Sequence, residues 1–478
     1  MLALLLILIP LVTGAAAFFI KNEKTVKTWS LLSAIVTLAV SLLTLYHSDV
    51  YHTVFSKEWL PDLGSAFALG MDGMGKMLVL LTALAFPIIF IATNNLRYKD
   101  ANQFYGLMLF SQAGLLGVFL STDLFLFYFF WELALVPAYF LCSKWGGEKR
   151  IAVTFKFFIY TFLGSLIMLI GILYLYILNP EKSFAMQSIY KMHLTNRAQD
   201  ILFWMFFLAF AIKMPIFPFH SWQPDTYEQS PTATTMVLSG VMVKMGLFAI
   251  VRWLLPVFPH AAKGYDNIII GLSVIGMIYA SCIAIVQDDL KRLVAYSSIA
   301  HIGLMCAALF ASNAIGAQGV MIQMFNHGIN IIGLWIVVEL IERQFGTRKM
   351  SELGGLAQKA PALAILLVVV ALANVALPLT NAFVGEFLMF SGLYQFNVWY
   401  TVVAGFSIIL AAIYTLNMIQ KVFYGNTNVL TEVAKDINWN EKLVLGIVVI
   451  LIFVMGVYPK PMIELTQASV HTLLGSIK

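Results

Sequence analysis

The sequence predicts an all-α polytopic membrane protein: one transmembrane domain over residues 1–478, with about 14 transmembrane helices. Two features of the sequence carry this prediction. Hydrophobic residues make up 60% of the chain and charged residues only 11%, whereas roughly a quarter of the residues of an ordinary soluble protein are charged. Runs of about 20 apolar residues, long enough to cross a bilayer, also recur along the whole sequence.

Hydropathy over windows of about 19 residues gives approximate bounds for each span. Residues 1–19 lack a basic segment in front and are followed by "KNEKTVK", which favours a retained first helix over a cleaved signal peptide. The predicted spans are 1–19, 28–46, 74–93, 103–121, 123–143, 154–178, 201–219, 232–255, 268–286, 295–312, 315–341, 361–393, 398–423 and 442–459.

Lysine and arginine predict the orientation of these spans. When each loop is numbered after the span that precedes it, the odd-numbered loops and the ends of the spans beside them hold 18 of these residues, and the even-numbered loops hold 5. Because positive charge favours the cytoplasmic side, the odd loops are expected to face the cytoplasm and both termini the opposite side. Loop 179–200 carries three of the five exceptions and is expected to be a folded outer segment.

Several classes of site are not indicated. Cys142, Cys282 and Cys306 have no CxxC or Cys/His spacing, so they suggest neither an iron–sulfur cluster, nor zinc, nor a disulfide framework. The sequence has no dinucleotide-binding glycine pattern and no P-loop. No basic patch is large enough for nucleic acid. Redox or nucleotide chemistry would therefore belong to partner chains.

A few ionisable residues remain at membrane depth once the loops are removed. A charge at the centre of a bilayer costs about 2.5–3.5 kcal/mol on insertion scales, so each is a candidate functional residue. Lys213 is the most unusual, because Pro215 and Pro218 follow it within the same apolar run. Arg252 lies near a span end and is interpreted as an interfacial anchor. The candidates are Glu132, Lys213, Lys244, His301, His327 and Glu386.

Each candidate also has a simpler interpretation. Glu132 is either a structural carboxylate or the partner of a buried lysine, and Lys213 and Lys244 are the available cations. A lone buried histidine is more often a satisfied core residue, but His301 and His327 occupy neighbouring spans beside serines and asparagines, which favours a hydrated relay. No Cys, Asp or Glu lies at ligand spacing from them, so no metal site is predicted.

Two interrupted helices suggest an internal repeat. The first break follows Lys213 in span 7, and the second, at Pro378, precedes Glu386 in span 12. Ionisable groups beside breaks five spans apart predict two inverted five-helix repeats, spans 4–8 and spans 9–13. Broken helices line cavities in which water or polar side chains satisfy the freed backbone groups. The predicted segments are 1–102, repeats 103–255 and 268–424, and a last helix and tail over 425–478.

These observations together indicate a membrane protein that conducts protons or another cation. Six ordered strings also resemble the antiporter-like membrane subunits of respiratory complex I over roughly residues 70–425. The string "VGEFL" resembles the subunit-4 (chain M) type, because related chains commonly carry lysine at the site of Glu386. The strings are "FFWELALVPAYFL", "KMPIFPFHSWQPDTYEQSPT", "GVMVKMGLFAIVRW", "DDLKRLVAYSSIAHIG", "FNHGINIIGLW" and "NAFVGEFLMFSG".

The resemblance implies a role for each candidate residue. Glu132 and Lys213 would form a coupling pair, Lys244 would be the central proton carrier, His301 and His327 would be relay members, and Glu386 would lie near the exit. In one departure the chain has "LPLTNAF", where the family often has glycine after the proline. That change leaves the geometry of the second break open.

The resemblance also implies a setting. The chain would translocate protons in the inner (cytoplasmic) membrane as a non-redox subunit of a translocase, NADH:quinone oxidoreductase. Its partners would be other membrane subunits, including sister antiporter-like chains, and lipids. No cofactor is expected in this chain, since flavin, iron–sulfur clusters and quinone would reside in partner subunits. The alternatives are a subunit of a multisubunit Na⁺/H⁺ antiporter of the Mrp type, a subunit of a membrane-bound hydrogenase, or a purely structural scaffold.

Overall fold

Long helices account for most of the protein. The computed structural model describes residues 1–46 and 53–477. Its labelled helices are α1 (Leu2–Ala17), α2 (Glu23–Thr44), α3 (Gly73–Ala92), α4 (Ala101–Leu120), α5 (Leu124–Trp145), α6 (Arg150–Leu178), α7 (Asn196–Lys213), α8 (Trp222–Gln229), α9 (Thr232–Val257), α10 (Asp266–Val286), α11 (Leu290–Phe310), α12 (Ala314–Phe345), α13 (Pro361–Asn374), α14 (Asn381–Phe396), α15 (Val398–Phe423), α16 (Trp439–Val457) and α17 (Lys460–Ile477). Short helical turns lie at Met186–Tyr190, Pro259–Gly264 and Leu356–Lys359.

Eleven helices in the described part of the chain are long and apolar enough to cross a membrane. The remaining predicted spans correspond to shorter or less apolar helices. Leu2–Ala17 has 16 residues, and the predicted span 361–393 consists of two pieces, α13 and α14. The count of 14 spans and the inverted repeats therefore stay predictions, whereas the helical membrane fold is established.

The contacts divide the chain into two compact units. The first unit comprises Met1–Met214, Gln229–Asp266 and Glu464–Lys478. Its helix α4 packs against α1 and α5, and α6 packs against α7. Glycine permits close approach of α4 and α5, because a Cβ at Gly114 would lie 2.6 Å from the backbone nitrogen of Ala134. Small residues at such crossings are typical of membrane helix bundles, where packing rather than burial from water drives association.

The second unit comprises Pro215–Glu228 and Asn267–Ile463. Helix α12, 32 residues long, is its central element and packs against α11, α13, α14 and α16. The crossing of α12 and α14 is close as well: a Cβ at Gly392 would lie 2.5 Å from the Cα of Gly316. This contact fixes the residues of α14 against the polar residues of α12.

A β-hairpin interrupts the helical pattern between α2 and α3. Strand β1 (Thr53–Leu60) pairs antiparallel with β2 (Ser65–Gly70). The turn passes through Gly64, whose φ of +65° is a left-handed conformation suited to glycine. The carboxylate of Asp123, which also caps α5, accepts hydrogen bonds from the Ser65 hydroxyl and the Ala66 N–H at 2.9 and 3.1 Å. The hydropathy pattern predicts no strand here, so the hairpin is an addition to the all-α prediction.

Polar contacts between loops connect odd-numbered loops with odd-numbered loops and even-numbered loops with even-numbered ones. In the first unit, Lys27 of loop 1 donates to the carbonyl of Asn94 of loop 3 at 2.9 Å. Lys144 of loop 5 pairs with Asp100 of loop 3, also at 2.9 Å. In the second unit, Asn313 of loop 10 donates to the carbonyl of Gly392 at the loop-12 end of α14. Because consecutive crossings place alternate loops at the same end, this pattern fits spans that cross alternately.

Candidate functional site

Lys213 is the last residue of α7, and the helix ends directly at the predicted break. Its side chain is only 2% exposed. A cation at a helix C-terminus interacts favourably with the helix dipole, which contributes about 0.3–1 kcal/mol at exposed sites and up to about 2 kcal/mol when partly buried. The ammonium nitrogen also lies 5.4 Å from the centre of the Trp131 ring, a cation–π contact. The end of α7 therefore supports a charge that a continuous helix interior would not.

Glu132 of α5 belongs to the same unit and interacts electrostatically with Lys213. The Ser165 hydroxyl of α6 lies within hydrogen-bonding reach of the Glu132 carboxylate. Within the described residues, neither the Lys213 Nζ nor the Glu132 Oε1 has a hydrogen-bond partner. The two groups thus influence each other's charge without a direct hydrogen bond. Water is the remaining donor and acceptor that satisfies buried groups of this kind.

Lys244 lies in α9, which is not a regular α-helix. A π-helical segment, Leu238–Met242, precedes Lys244, and the Val243 N–H bonds to the Leu238 carbonyl five residues earlier. The Lys244 ammonium donates to the carbonyl oxygen of Ser239 at 2.7 Å. Segments of π-helix occur frequently at functional sites, where they re-aim side chains. Here the irregular turn places a backbone acceptor within reach of a fully buried lysine.

Helix α9 reaches the end of α7 through a glycine contact. A Cβ at Gly246 would lie 2.8 Å from the carbonyl oxygen of Phe210 and 2.8 Å from the Cβ of Met214. No larger residue fits at this crossing without movement of the backbone. The turn of α9 that carries Lys244 is therefore held against the turn of α7 that carries Lys213. Glu132, Lys213 and Lys244 belong to one unit.

The other three candidates belong to the second unit. His301 of α11 lies with its Nδ1 3.0 Å from the Glu386 Oε1 of α14. The Gln323 amide of α12 donates to the same carboxylate oxygen at 3.5 Å. His327 lies 5.6 Å from His301 between ring centres, and its Nε2 is 3.3 Å from the Ser298 hydroxyl. Three ionisable groups and a hydroxyl thus form a contiguous polar cluster inside a helical unit.

The second break separates α13 from α14 over residues 375–380. Two residues in it, Ala376 and Leu379, have positive φ values of 57° and 74°. Leu379 occupies the position after Pro378 at which the family often has glycine. A left-handed conformation costs a residue with a Cβ roughly 1–2 kcal/mol, so the backbone keeps the glycine-like turn although the side chain opposes it.

Arg252 is not the interfacial anchor that the sequence analysis proposes. It is 5% exposed and its guanidinium pairs with Asp72, the cap residue of α3, at 2.6 Å. Ser469 of α17 donates to the second oxygen of Asp72 at 3.2 Å. Burial alone would raise the pKa of Asp72, but Arg252, the Gly75 N–H and the Ser469 hydroxyl hold it below its usual value. Lys76, also buried, escaped the sequence analysis.

A second charged group lies where loops 7, 9 and 11 of the second unit meet. Arg348 bonds to Glu228 at 2.9 Å and also pairs with Asp289 and Glu342. Arg292 bonds to Glu228 at 2.9 Å as well. Local hydropathy marks these residues as loop charges, and only the fold shows that they form one network. In the described part of the chain, no group of three His, Cys, Asp or Glu residues is arranged to hold a metal ion.

Comparisons with known proteins agree with this architecture. A family model described as NADH:quinone oxidoreductase/Mrp antiporter, TM, matches residues 121–411. NADH-quinone oxidoreductase subunit M of Rickettsia prowazekii (strain Madrid E) is 35% identical over 96% of this chain and 95% of its own length. Subunit M of Escherichia coli (strain K12) is 32% identical over 90% of this chain and 86% of its own.

Solved structures give the same picture. A chain of respiratory complex I from Thermus thermophilus with bound NADH matches with a TM-score of 0.91 and 30% identity, over 99% of this chain and all of that chain. A chain of the Mrp complex from Dietzia sp. matches with a TM-score of 0.88 over 100% of this chain and 98% of that chain, but at 18% identity this likeness shows the fold alone. The chain therefore belongs to the NADH:quinone oxidoreductase/Mrp antiporter membrane family, in the group named NADH-quinone oxidoreductase subunit M.

Proposed function

We propose that this chain is a proton-translocating, non-redox membrane subunit of an NADH:quinone oxidoreductase. One observation carries the proposal: each of the two units holds a pair of ionisable groups beside a broken helix, the buried Lys213 with the half-buried Glu132 and the buried His301 with the buried Glu386. Buried ionisable residues are costly in a membrane and mark ion or proton pathways. Proton transfer needs such groups, together with water, at membrane depth.

The geometry suggests how the first pair acts. Lys213 and Glu132 interact electrostatically but share no direct hydrogen bond in the described residues, so the charge of one sets the proton affinity of the other. A change of charge or hydration at this pair alters the field on Lys244, whose helix contacts the end of α7 through Gly246. Moving one charge against 100 mV takes about 2.3 kcal/mol. A shift of two pKa units corresponds to about 2.7 kcal/mol and is of the required size.

The second pair receives or releases the proton in this scheme. His301 and Glu386 lie 3.0 Å apart, and His327 is the next imidazole. In this scheme, a proton bound by the His301 imidazole cancels the negative charge of the Glu386 carboxylate. When that proton leaves, the pair again carries one negative charge. This chain supplies ionisable side chains to the proton pathway. Redox chemistry would take place in partner subunits that carry flavin, iron–sulfur clusters and quinone.

Both termini of the chain would lie on the non-cytoplasmic side of the membrane.

This proposal is tested by comparing the assembled enzyme that carries the Lys213→Met variant with the assembled wild-type enzyme. The measurement is the number of protons translocated per electron during NADH oxidation. The variant is expected to oxidise NADH while translocating fewer protons per electron, because the coupling pair has lost its cation. The matched control is Lys191→Met, which removes a lysine from loop 179–200 at the end of the short helix Met186–Tyr190. An unchanged proton-to-electron ratio in Lys213→Met would reject the proposed role.

The family model's description also covers Mrp antiporters, so a subunit of a multisubunit Na⁺/H⁺ antiporter is the alternative. Glu386 favours the oxidoreductase, since the antiporter relatives commonly carry lysine at this site. Purification of the native assembly decides between them. Partners with flavin and iron–sulfur clusters support the oxidoreductase, and an assembly without them supports the antiporter.

A further inference from the structure

A cavity of about 420 Å³ lies between the end of α6 and the start of α7 in the first unit. Its volume is within the range of about 300–1,000 Å³ that is typical of small-molecule sites. Loop 179–200 supplies most of its wall, and none of the candidate residues for proton transfer lines it. Helix α6 is apolar enough to cross a membrane and ends at Leu178. The cavity therefore lies at the level of the membrane surface.

Hydrogen bonds of one buried amide fix the wall of the cavity. Asn179 is 2% exposed, and its Nδ2 donates to the Ser183 carbonyl at 2.7 Å and to the Ser188 hydroxyl at 2.9 Å. Its Oδ1 accepts from the Glu181 N–H at 3.1 Å. These bonds hold the loop in shape before any ligand binds. A preformed cavity binds a ligand at a smaller entropic cost than a mobile loop does.

Two opposite charges line this cavity without pairing. Glu181 and Lys191 are both exposed at its wall, and in the described part of the chain they form no ion pair with each other. Separate charges of opposite sign create a negative and a positive region within one cavity. A zwitterion, which carries both charges, matches these two regions, whereas an ion of either sign matches only one.

The first turn of α7 strengthens the positive region. Thr195 and Ala198 line the cavity, and the Thr195 hydroxyl accepts from the Ala198 N–H at 3.3 Å. The other N–H groups at the start of a helix have no partner within the helix, and the helix dipole adds positive potential there. Helix N-termini therefore bind phosphate groups. The region formed by Lys191 and this turn suits a phosphate, and Glu181 suits a cation.

Apolar side chains complete the wall. Tyr174 and Leu178 line the cavity from the last turns of α6, and Met192 and Leu194 line it from the loop. Tyrosine is enriched at the membrane–water interface, where its ring lies at the level of the lipid head groups. The upper part of an acyl chain packs against such side chains, whereas a water-soluble zwitterion gains little from them. The cavity thus favours a phospholipid.

The carboxylate distinguishes between head groups. A primary ammonium has three N–H donors for a carboxylate. A quaternary ammonium has no N–H donor and is bound by cages of aromatic rings. In the part of the chain that the structure describes, a single tyrosine, Tyr174, lines the cavity. The Glu181 carboxylate therefore suits an ethanolamine head group better than a choline head group.

We propose that this cavity binds one phospholipid of the phosphatidylethanolamine type. Its phosphate lies at Lys191 and the first turn of α7, and its ammonium lies at Glu181. Its acyl chains follow Tyr174 and Leu178 into the bilayer. The proposal goes beyond the proposed function and does not depend on it, because the cavity contains neither of the two ionisable pairs.

Hydrogen–deuterium exchange in the assembled, lipid-depleted enzyme tests the proposal. Short-chain phosphatidylethanolamine is added in detergent, and protection of the backbone amides of residues 179–198 gives its dissociation constant. Wild type is expected to bind this lipid about tenfold more tightly than short-chain phosphatidylcholine, because only a primary ammonium donates hydrogen bonds to a carboxylate. Equal affinities for the two lipids, or no protection of this segment, would overturn the proposal.

A variant tests the role of the carboxylate. Glu181→Gln is expected to bind phosphatidylethanolamine about tenfold more weakly than wild type does, and no better than it binds phosphatidylcholine. Glu58→Gln, at an exposed glutamate of β1 outside the cavity, is the matched control and is expected to keep the wild-type preference. A Glu181→Gln enzyme that still prefers ethanolamine would overturn the assignment.

Two further ligands identify the occupant. Glycerophosphoethanolamine, which has the head group without acyl chains, is expected to protect the segment far less than the lipid does. Equal protection would show that a soluble zwitterion occupies the cavity. Phosphatidylglycerol, which has a phosphate but no ammonium, is expected to bind more weakly than phosphatidylethanolamine. Tighter binding would show that the positive region alone selects the ligand, and either of these results overturns the proposal.

Discussion

Asp72 and Arg252 provide a stability prediction whose size follows from their geometry. Their side chains are buried, 5–6% exposed, and the contacting atoms are 2.6 Å apart. Removing Asp72 leaves the Arg252 charge buried without this partner, a change that typically costs 3–5 kcal/mol, whereas an exposed ion pair is worth about 0–1 kcal/mol. Asp72→Ala also removes the acceptor of the Gly75 N–H and of the Ser469 hydroxyl.

We therefore expect Asp72→Ala to lower the free energy of unfolding of the full chain by about 3–5 kcal/mol. The measurement is reversible unfolding in detergent, followed by dye labelling of the buried thiols Cys142 and Cys306. The double variant Asp72→Leu/Arg252→Met replaces the pair by apolar groups and is expected to recover most of the loss. A loss below about 1 kcal/mol, typical of a surface pair, would refute the reasoning. The reasoning would also fail if the double variant lost as much free energy of unfolding as the two single variants lose together.

The same pair predicts a pH dependence. The pKa of Asp72 lies below its usual 3.8 in the folded chain. A carboxyl group with a lowered folded-state pKa contributes stability that is fully present above its unfolded-state pKa and is lost as the pH falls through the folded-state pKa. Wild type is thus expected to lose stability below about pH 4 more steeply than Asp72→Ala. Parallel curves for the two chains would contradict this assignment.

Three further predictions concern the second unit. Leu379→Gly should raise the free energy of unfolding by about 1 kcal/mol, because glycine adopts the positive φ without strain. The control Leu377→Gly should lower the free energy of unfolding. If both variants are less stable than wild type, the strain at Leu379 is contradicted. Arg348→Ala should cost about 1.5–3 kcal/mol because Glu228, Asp289 and Glu342 each lose one cationic partner. Lys349→Ala, at an exposed side chain, should stay within about 0.5 kcal/mol. Glu386→Gln and His301→Gln should each reduce the number of protons translocated per electron. The double variant should lose no more than either single variant, and additive losses would show that the two residues act independently.

The sequence predicts the helical fold because apolar runs of the required length are a local property. The break after Lys213 is also local: Pro215 and Pro218 prevent the helix from continuing, and α7 ends at Lys213. The break between α13 and α14 likewise contains a proline, Pro378. The long apolar helices lie close to the predicted apolar runs because hydropathy does not depend on tertiary contacts, whereas α8 and α17 lie outside those runs.

Pairings over long sequence distances are not visible in local patterns. Arg252 resembles an anchor at a span end, because its partner Asp72 lies 180 residues away. The strand residues 53–70 contain Pro, Asp and Gly, which favour an irregular loop, and Asp123 stabilises the hairpin from another part of the chain. Conversely, the sequence shows that Asn326 and Asn330 lie on one face of a helix, but only the fold shows that they donate to the carbonyls of Asn381 and Ala373.

If buried ionisable side chains of this subunit carry protons, as proposed, replacing Lys244 should impair proton translocation. Lys244→Met keeps a long apolar side chain in α9 but removes the ammonium that bonds to Ser239. The measurement is the number of protons translocated per electron by the assembled enzyme in sealed vesicles, with NADH as donor. A lower ratio with normal assembly is expected. A wild-type ratio in this variant would contradict it.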